Sequence, residues 1–283
     1  MNANRSPWLL MAPGLLWLVA LMVVPCLLIF SLTIFERGTY GGIDWHIITA
    51  ENFRRAFDPL YAVILWDSAR IAGLATLIAL LIGYPAAYAI AKASPRWQTV
   101  LLFLAILPFW TNYLIRTYAW IVLLNPAGLI NGLLQWLGLT AGPIPLLYNE
   151  FAVVLGLVYN YTPFVILAIY SALQRLDPSY AEASRDLGAS AATTFWRITL
   201  PLTAAGVAAG AVFVFVLSIG NFLTPDLLGG GKVQMVGNLI YDQFLTARDW
   251  PFGATLSSLL IGLMMIILFA QALATRRAYG EGR

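Results

Sequence analysis

Six continuous apolar runs, each long enough to cross a bilayer, constrain this chain more than any other feature. They cover residues 8–32, 68–91, 99–124, 151–173, 202–224 and 253–274. A helix needs roughly 20 apolar residues to span the hydrocarbon layer, and it satisfies its backbone polar groups within its own segment. Transmembrane strands are shorter and alternate apolar with polar residues. The runs here do not alternate, so the chain reads as an all-α polytopic membrane protein with six transmembrane helices. Composition agrees: 10% of the residues are charged, against about 25% in a soluble domain, and the mean hydropathy is +0.80. Pro25, Gly83, Pro85, Pro108, Pro163, Gly206 and Gly210 interrupt the runs. Membrane helices tolerate such residues because neighbours re-satisfy the freed backbone groups.

The first run follows Arg5, as the core of a secretory signal would. A signal core is only about 7–15 residues long, whereas this run is longer and no convincing small-residue cleavage site follows it. It is expected to be a retained helix. Cys26, the only cysteine, lies inside it, which leaves no disulfide or cysteine metal site and predicts a small buried hydrophobe. His46, also unique, falls in a polar loop and reads as a surface residue without a metal cluster around it.

Six spans put both termini on one side. With the N-terminus inside, the inner segments carry Arg5, Lys92, Arg96, Arg175, Arg185, Arg197, Arg276, Arg277 and Arg283. The outer loops carry Arg37, Arg54, Arg55, Lys232 and Arg248. That bias predicts cytoplasmic termini by the positive-inside rule. Acidic residues run the other way. Glu36, Asp44, Glu51, Asp58, Asp67, Glu150, Asp226, Asp242 and Asp249 lie outside, and only Asp177, Glu182, Asp186 and Glu281 inside. Acidic side chains contribute little to topology. A net negative mouth concentrates cationic solutes, or it is ordinary solvated loop charge. Between the first two runs, Ala50 to Asp67 mixes Arg54, Arg55 and Asp58 with Phe53, Phe57, Leu60, Tyr61, Ile64 and Leu65. That spacing predicts an amphipathic helix at the outer interface.

The one polar interruption on the inner side that carries a pattern is residues 174–201. Asp177-Pro178 reads as an N-cap followed by proline at the first helical position. The next turns put Tyr180, Ala183, Ser184 and Leu187 on one face, with Glu182, Arg185 and Asp186 elsewhere. Gly188 suits a left-handed C-terminal cap. Ser190 caps a second short helix, expected to end before Pro201 because a residue preceding proline is steered away from α geometry. Two short helices with a sharp bend form a rigid protrusion that can sit in a partner's groove and pass on its movement.

The spacing Glu182-Ala183-Ser184, three residues, Gly188, nine residues, Ile198-Thr199-Leu200-Pro201 resembles the cytoplasmic EAA loop of bacterial ABC importer permeases, with Ser184 where alanine is usual. Other stretches resemble the spermidine/putrescine branch of the type I importers: Leu107-Pro108-Phe109-Trp110-Thr111-Asn112 with Leu114-Ile115-Arg116, Asp186-Leu187-Gly188-Ala189-Ser190, Asp226-Leu227-Leu228-Gly229-Gly230, and Asp249-Trp250-Pro251-Phe252-Gly253-Ala254. The likeness covers nearly the whole chain. It implies a type I ABC importer permease fold with both termini cytoplasmic, in a bacterial inner membrane. It also implies two ATPase subunits docked at the inner loop through Glu182, Ala183, Ser184, Asp186, Leu187, Gly188, Ile198 and Pro201. A second, related but distinct permease subunit and a periplasmic solute-binding protein would complete the assembly, surrounded by lipid and without nucleic acid. On this resemblance the chain divides into an N-terminal helix and outer loop (1–66), a five-helix permease domain (67–274) and a tail (275–283).

A polyamine is a flexible chain of ammonium groups, which carboxylates and aromatic faces bind. Trp110, Asn112, Tyr113, Arg116, Asp226, Asp242 and Asp249, with Tyr118, are therefore candidates for the path or its outer gate. Interfacial anchoring is the plain alternative for the aromatics. Arg116 lies within a span and is expected to snorkel outward or pair with Asp226 or Glu150, in structure or gating rather than substrate contact.

No cofactor is expected in the chain itself; ATP and magnesium would belong to partner subunits. Gly229-Gly230-Gly231-Lys232 is not a phosphate loop, since that pattern needs Gly where Asp226 stands and Ser or Thr where Val233 stands. No catalytic triad or metal-ligand spacing is visible, so the chain reads as a non-catalytic permease subunit. Importers for iron, thiamine, phosphonate or opine-like amines share much of the likeness. An ion-coupled secondary transporter is a rival class, but no internal repeat is evident and intramembrane charge is sparse.

Overall fold

Proline and capping side chains set where these apolar runs break. The computed structural model describes residues 7–280, and side chains from residue 11 to 273. Arg5, Glu281 and Arg283 of the charge argument lie outside the described residues, as do the side chains of Arg276 and Arg277. In chain order the elements are α1 (Pro7–Leu32), β1 (Phe35–Arg37), β2 (Ile43–Ile48), α2 (Glu51–Ala56), α3 (Pro59–Lys92), α4 (Pro95–Ile106), α5 (Tyr113–Leu124), α6 (Leu129–Trp136) and α7 (Glu150–Gln174). There follow α8 (Pro178–Asp186), α9 (Ala191–Thr194), α10 (Leu200–Leu202), α11 (Ala204–Ile219), α12 (Leu223–Gly229), α13 (Val236–Leu245) and α14 (Trp250–Gly280). Among the described residues five helical stretches are long and apolar enough to cross a membrane, and α9–α10 with α11 makes a sixth if that bent pair is one span.

Two compact units emerge. One gathers the residues up to Ala62 with Leu239–Leu263. It contains a β-hairpin that the sequence pattern does not reveal: β1 and β2 pair antiparallel, Phe35 opposite Ile48 and Arg37 opposite Ile43. Arg37 donates to the Ala247 carbonyl at 2.6 Å, and the Gly42 N–H to the Arg248 carbonyl at 2.7 Å. The buried Asn52 amide on α2 donates to the Thr33 and Phe35 carbonyls. The single amphipathic helix expected over 50–67 is instead two helices. α2 stops at Ala56, the Asp58 carboxylate accepts from the Leu60 N–H, and Pro59 starts α3, which runs on as the second span. Cys26 is exposed rather than buried. From Met11 to Leu28 α1 is exposed in the lone chain, so among the described residues no neighbouring helix covers the thiol.

The other unit, Val63–Asn238 with the stretch from Met264 onward, is built around α7. Its buried side packs with α3, α5 and α12 through Ile71, Ala75, Leu124, Val153, Leu157 and Leu228. Toward the other end it packs through Ala79, Ala87, Val165, Ile169 and Val214. α11 comes very close to α7: a Cβ on Gly206 would lie 2.4 Å from the Ala172 Cβ. With no hydrophobic drive between helices in lipid, small residues permit such van der Waals approach.

Two expected spans are redrawn. Residues 99–124 are not one helix: α4 ends at Ile106, one 3-10 turn covers Leu107–Trp110, and α5 restarts at Tyr113. Pro108 lacks an N–H and crowds the preceding turn, while the Asn112 side chain accepts from the Leu114 and Ile115 N–H groups and caps the new helix. The fifth run, 202–224, is not one helix either: α10 ends at Leu202, α11 covers Ala204–Ile219 and meets the preceding helix at 63°, and α12 opens at Leu223.

Candidate coupling element and translocation cluster

The helix pair forms where its polar punctuation predicts. The Asp177 carboxylate accepts from the Ser179 N–H at 2.9 Å and Pro178 opens α8. Those hydrogen bonds from Ser179 hold the exposed Asp177 carboxyl below the usual carboxylate range. α8 ends with Gly188 at φ +81°, its N–H on the Arg185 carbonyl and the Ala189 N–H on the Ser184 carbonyl. That is the paired-bond ending in which glycine supplies the left-handed residue. Ser190 then accepts from the Thr193 N–H and caps α9.

Ser184, the departure from the motif, joins α8 to α9. It is buried, and its hydroxyl meets the buried Thr194 hydroxyl at 3.0 Å. Tyr180, Ala183 and Leu187 stay exposed, Leu187 at 89%. Glu182, Asp186 and Gly188 are exposed as well, Ile198 is half-buried and Pro201 exposed. The expected stop before Pro201 does not occur. Leu200 is helical (φ −63°, ψ −46°), and α10 continues through Pro201 to Leu202. The reason is a wide turn over Phe195–Thr199, in which the Leu200 N–H reaches back five residues to the Phe195 carbonyl. Such a turn relaxes the crowding that a proline ring imposes on the carbonyl four residues before it.

The elbow between α10 and α11 is pinned from α3. Thr203 is fully buried, its hydroxyl donates toward the Thr199 and Leu200 carbonyls, and it lies 2.9 Å from the Tyr84 hydroxyl. The Phe195 ring meets Tyr84 and Tyr88 edge-on, each at 5.5 Å. A groove of about 250 Å³ lies between the helix pair and the ends of α3 and α7, with Lys92, Glu182 and Arg185 among its lining residues.

The path candidates separate. Tyr113 is drawn into a polar cluster that was not foreseeable from sequence: its hydroxyl meets Thr224, and the Asn221 amide donates both to it at 2.7 Å and to the Tyr161 hydroxyl at 2.6 Å. Four residues from three segments distant in sequence meet there, and no local pattern marks their meeting. Asn112 is the α5 cap. Trp110 is 72% exposed beside Phe103, and Tyr118 is also exposed. Asp226 is exposed in the first turn of α12, and Asp242 is half-buried on α13. Asp249 is buried and occupied: it pairs with Arg55 at 3.0 Å and caps α14 through the Phe252 N–H, while Arg55 lies 4.1 Å from the Phe252 ring centre.

Arg116 pairs with neither of its expected partners. Glu150 is taken by Arg70 at 2.7 Å, and Asp226 is not among the ion pairs of the described residues. Arg116 is buried, because α5 restarts after the Pro108 break with this side chain turned back onto the break. Its guanidinium donates to the Pro108 carbonyl at 2.8 Å. Among the described residues no three His, Cys, Asp or Glu side chains come close enough to hold a metal.

A family model described as "Binding-protein-dependent transport system inner membrane component" matches residues 83–278. The chain belongs to that family. This permease is 44% identical over 255 residues to the spermidine/putrescine transport system permease PotB of Haemophilus influenzae, covering 89% of this chain and 88% of that one. It is 41% identical over 254 residues to PotB of Escherichia coli K12, covering 89% and 92%. Among solved structures it superposes on a chain of a bacterial alginate ABC transporter in complex with an alginate pentasaccharide-bound periplasmic protein. The TM-score is 0.77 at 18% identity, over 95% of this chain and 94% of that one. The fold is that of the type I ABC importer permeases, and the permease is a multi-pass protein of the inner membrane.

Proposed function

We propose that this permease carries a polyamine, spermidine or putrescine, through the inner membrane, driven by separate ATPase subunits and fed by a periplasmic binding protein. The substrate follows from relatives that bear those names at 41–44% identity over most of both chains. The observation that carries the energy coupling is the α8–α9 pair. It is a small element, tied by Ser184 and Thr194, that leaves Tyr180, Ala183 and Leu187 uncovered. Such a face fits a groove on a nucleotide-driven partner. In this reading the ATPases close on ATP, displace the two coupling elements of a permease pair and turn the central cavity outward. Hydrolysis and product release reset it inward. The permease itself does no chemistry.

The second permease is a related chain, and the helix pair and both termini lie in the cytoplasm. The elbow at Thr203 passes the displacement into α11. From there it reaches the Asn221 and Thr224 end, where Tyr113 and Tyr161 join the cluster.

Reconstituting the complete transporter in proteoliposomes and measuring labelled spermidine uptake tests the reading. Uptake is expected only with ATP and loaded binding protein. Uptake of thiamine or ferric iron in place of spermidine would move the permease to another substrate branch, and uptake driven by an ion gradient without ATPases would remove it from this mechanism.

A further inference from the structure

Arg116 is 8% exposed, its Nε has no hydrogen-bond partner, and no carboxylate pairs with it among the described residues. A buried guanidinium without an anion is costly, and inside a span an ionisable group marks a functional site. What holds it is the Pro108 carbonyl at 2.8 Å and two aromatic faces, with the guanidinium carbon 5.8 Å from the Phe109 ring centre and 5.6 Å from that of Tyr113. A carbonyl oxygen flanked by two rings is a receptor for any organic cation. Both rings are set in place independently of Arg116. Phe109 meets Phe164 edge-on at 5.2 Å, and the Tyr113 hydroxyl is held by Thr224 and Asn221. Phe109 is 47% exposed, so the site is open on one side.

We propose that Pro108, Phe109 and Tyr113 form a cation site that Arg116 occupies at rest and that an ammonium group of the substrate takes over during passage. This rests on the polyamine reading above. Two cations cannot share one carbonyl and two rings, so the substrate must displace the guanidinium. With Nε unbonded, Arg116 gives up its hydrogen bond to the Pro108 carbonyl and its two ring contacts, which the incoming ammonium takes over. When the ammonium moves on, the side chain returns and denies the site to a cation coming back. Arg116 thereby sets both how tightly the substrate is held at this point and how readily it leaves.

The test uses the assembled transporter in nanodiscs, without binding protein, and measures binding of labelled spermidine and of methylguanidinium. Arg116→Ala empties the site. Spermidine is expected to bind this variant about tenfold more tightly, the scale of one desolvated cation–π contact. Methylguanidinium should bind the variant and not the wild type, and compete with spermidine for it. Arg116→Lys, which keeps a cation in place, should stay near the wild type. Unchanged or weaker spermidine binding by Arg116→Ala overturns the proposal, as does methylguanidinium that binds neither protein or fails to compete. If Arg116→Ala does not assemble, Phe109→Leu decides: spermidine binding should weaken several-fold, and unchanged binding overturns the site. Failure of the wild-type complex to transport spermidine at all would strike the polyamine reading, whereas methylguanidinium binding reads the site independently of it.

Discussion

Gly188 shows how one residue shapes the proposed coupling element. Its φ of +81° lies in the left-handed region, and nothing stands within 4 Å of where a Cβ would be. A substitution therefore meets backbone strain but no clash, and for an L-residue that strain is roughly 1–2 kcal/mol. Gly188→Ala is expected to loosen the end of α8 and lower ATP-driven uptake several-fold, with membrane-inserted protein unchanged. Gly188→Asn, which tolerates this conformation better, should keep more activity than Ala. Equal uptake by all three proteins, normalised to the amount in the membrane, would remove the turn from the coupling path. The glycine was legible in sequence because only backbone geometry was at stake. The bridging role of Ser184 was not, because it depends on Thr194, a residue of the next helix, coming within 3.0 Å.

Elements were legible where the chain's own chemistry decides and obscure where a neighbour does. The caps Asp177, Ser190 and Gly188 stand where the sequence puts them, since each acts on backbone groups only a few residues away. Pro108 and Pro201 carry the same local signal yet end differently. At Pro108 the helix breaks and Asn112 starts another; at Pro201 the wide turn over Phe195–Thr199 absorbs the ring and the helix continues. The contacts of Phe195 with Tyr84 and Tyr88 hold that turn, and they come from α3, more than a hundred positions away. The elbow is accordingly a tertiary device, and it makes a prediction. Tyr84→Phe removes the hydroxyl contact to Thr203 while the Thr203 proton keeps its carbonyl acceptors. The loss is about 1 kcal/mol, roughly a fivefold shift in an equilibrium. If this contact stiffens the elbow, the variant assembles and hydrolyses ATP but moves fewer substrate molecules per ATP. Parallel assays of uptake and phosphate release measure that ratio. An unchanged ratio would reduce the contact to packing.

For the molecule as a whole, sidedness decides whether these parts can work together, and charge is what argues for it. Basic residues favour one face of the six-span layout and acidic residues the other, and the first trend is the one that insertion obeys. Two exposed positions make the test direct: Tyr40 in the hairpin turn, 97% exposed, and Leu187 on the helix pair, 89% exposed. Both are read in a Cys26→Ser background, because Cys26 is itself exposed on α1. A membrane-impermeant maleimide should label Tyr40→Cys in spheroplasts and leave Leu187→Cys unlabelled until the membrane is permeabilised. Expressing the ATPase subunits should then protect Leu187→Cys from the reagent in permeabilised cells, because Leu187 belongs to the uncovered face that the ATPase is proposed to bind. Tyr40→Cys should be indifferent to the ATPase. Labelling of Leu187→Cys from outside would put the helix pair on the wrong side for any cytoplasmic motor. Labelling only after permeabilisation but without protection would keep the topology and move the docking face elsewhere on the α8–α9 pair. The two failures are separable, so one pair of single-cysteine chains tests the orientation of the spans and the face through which they are driven.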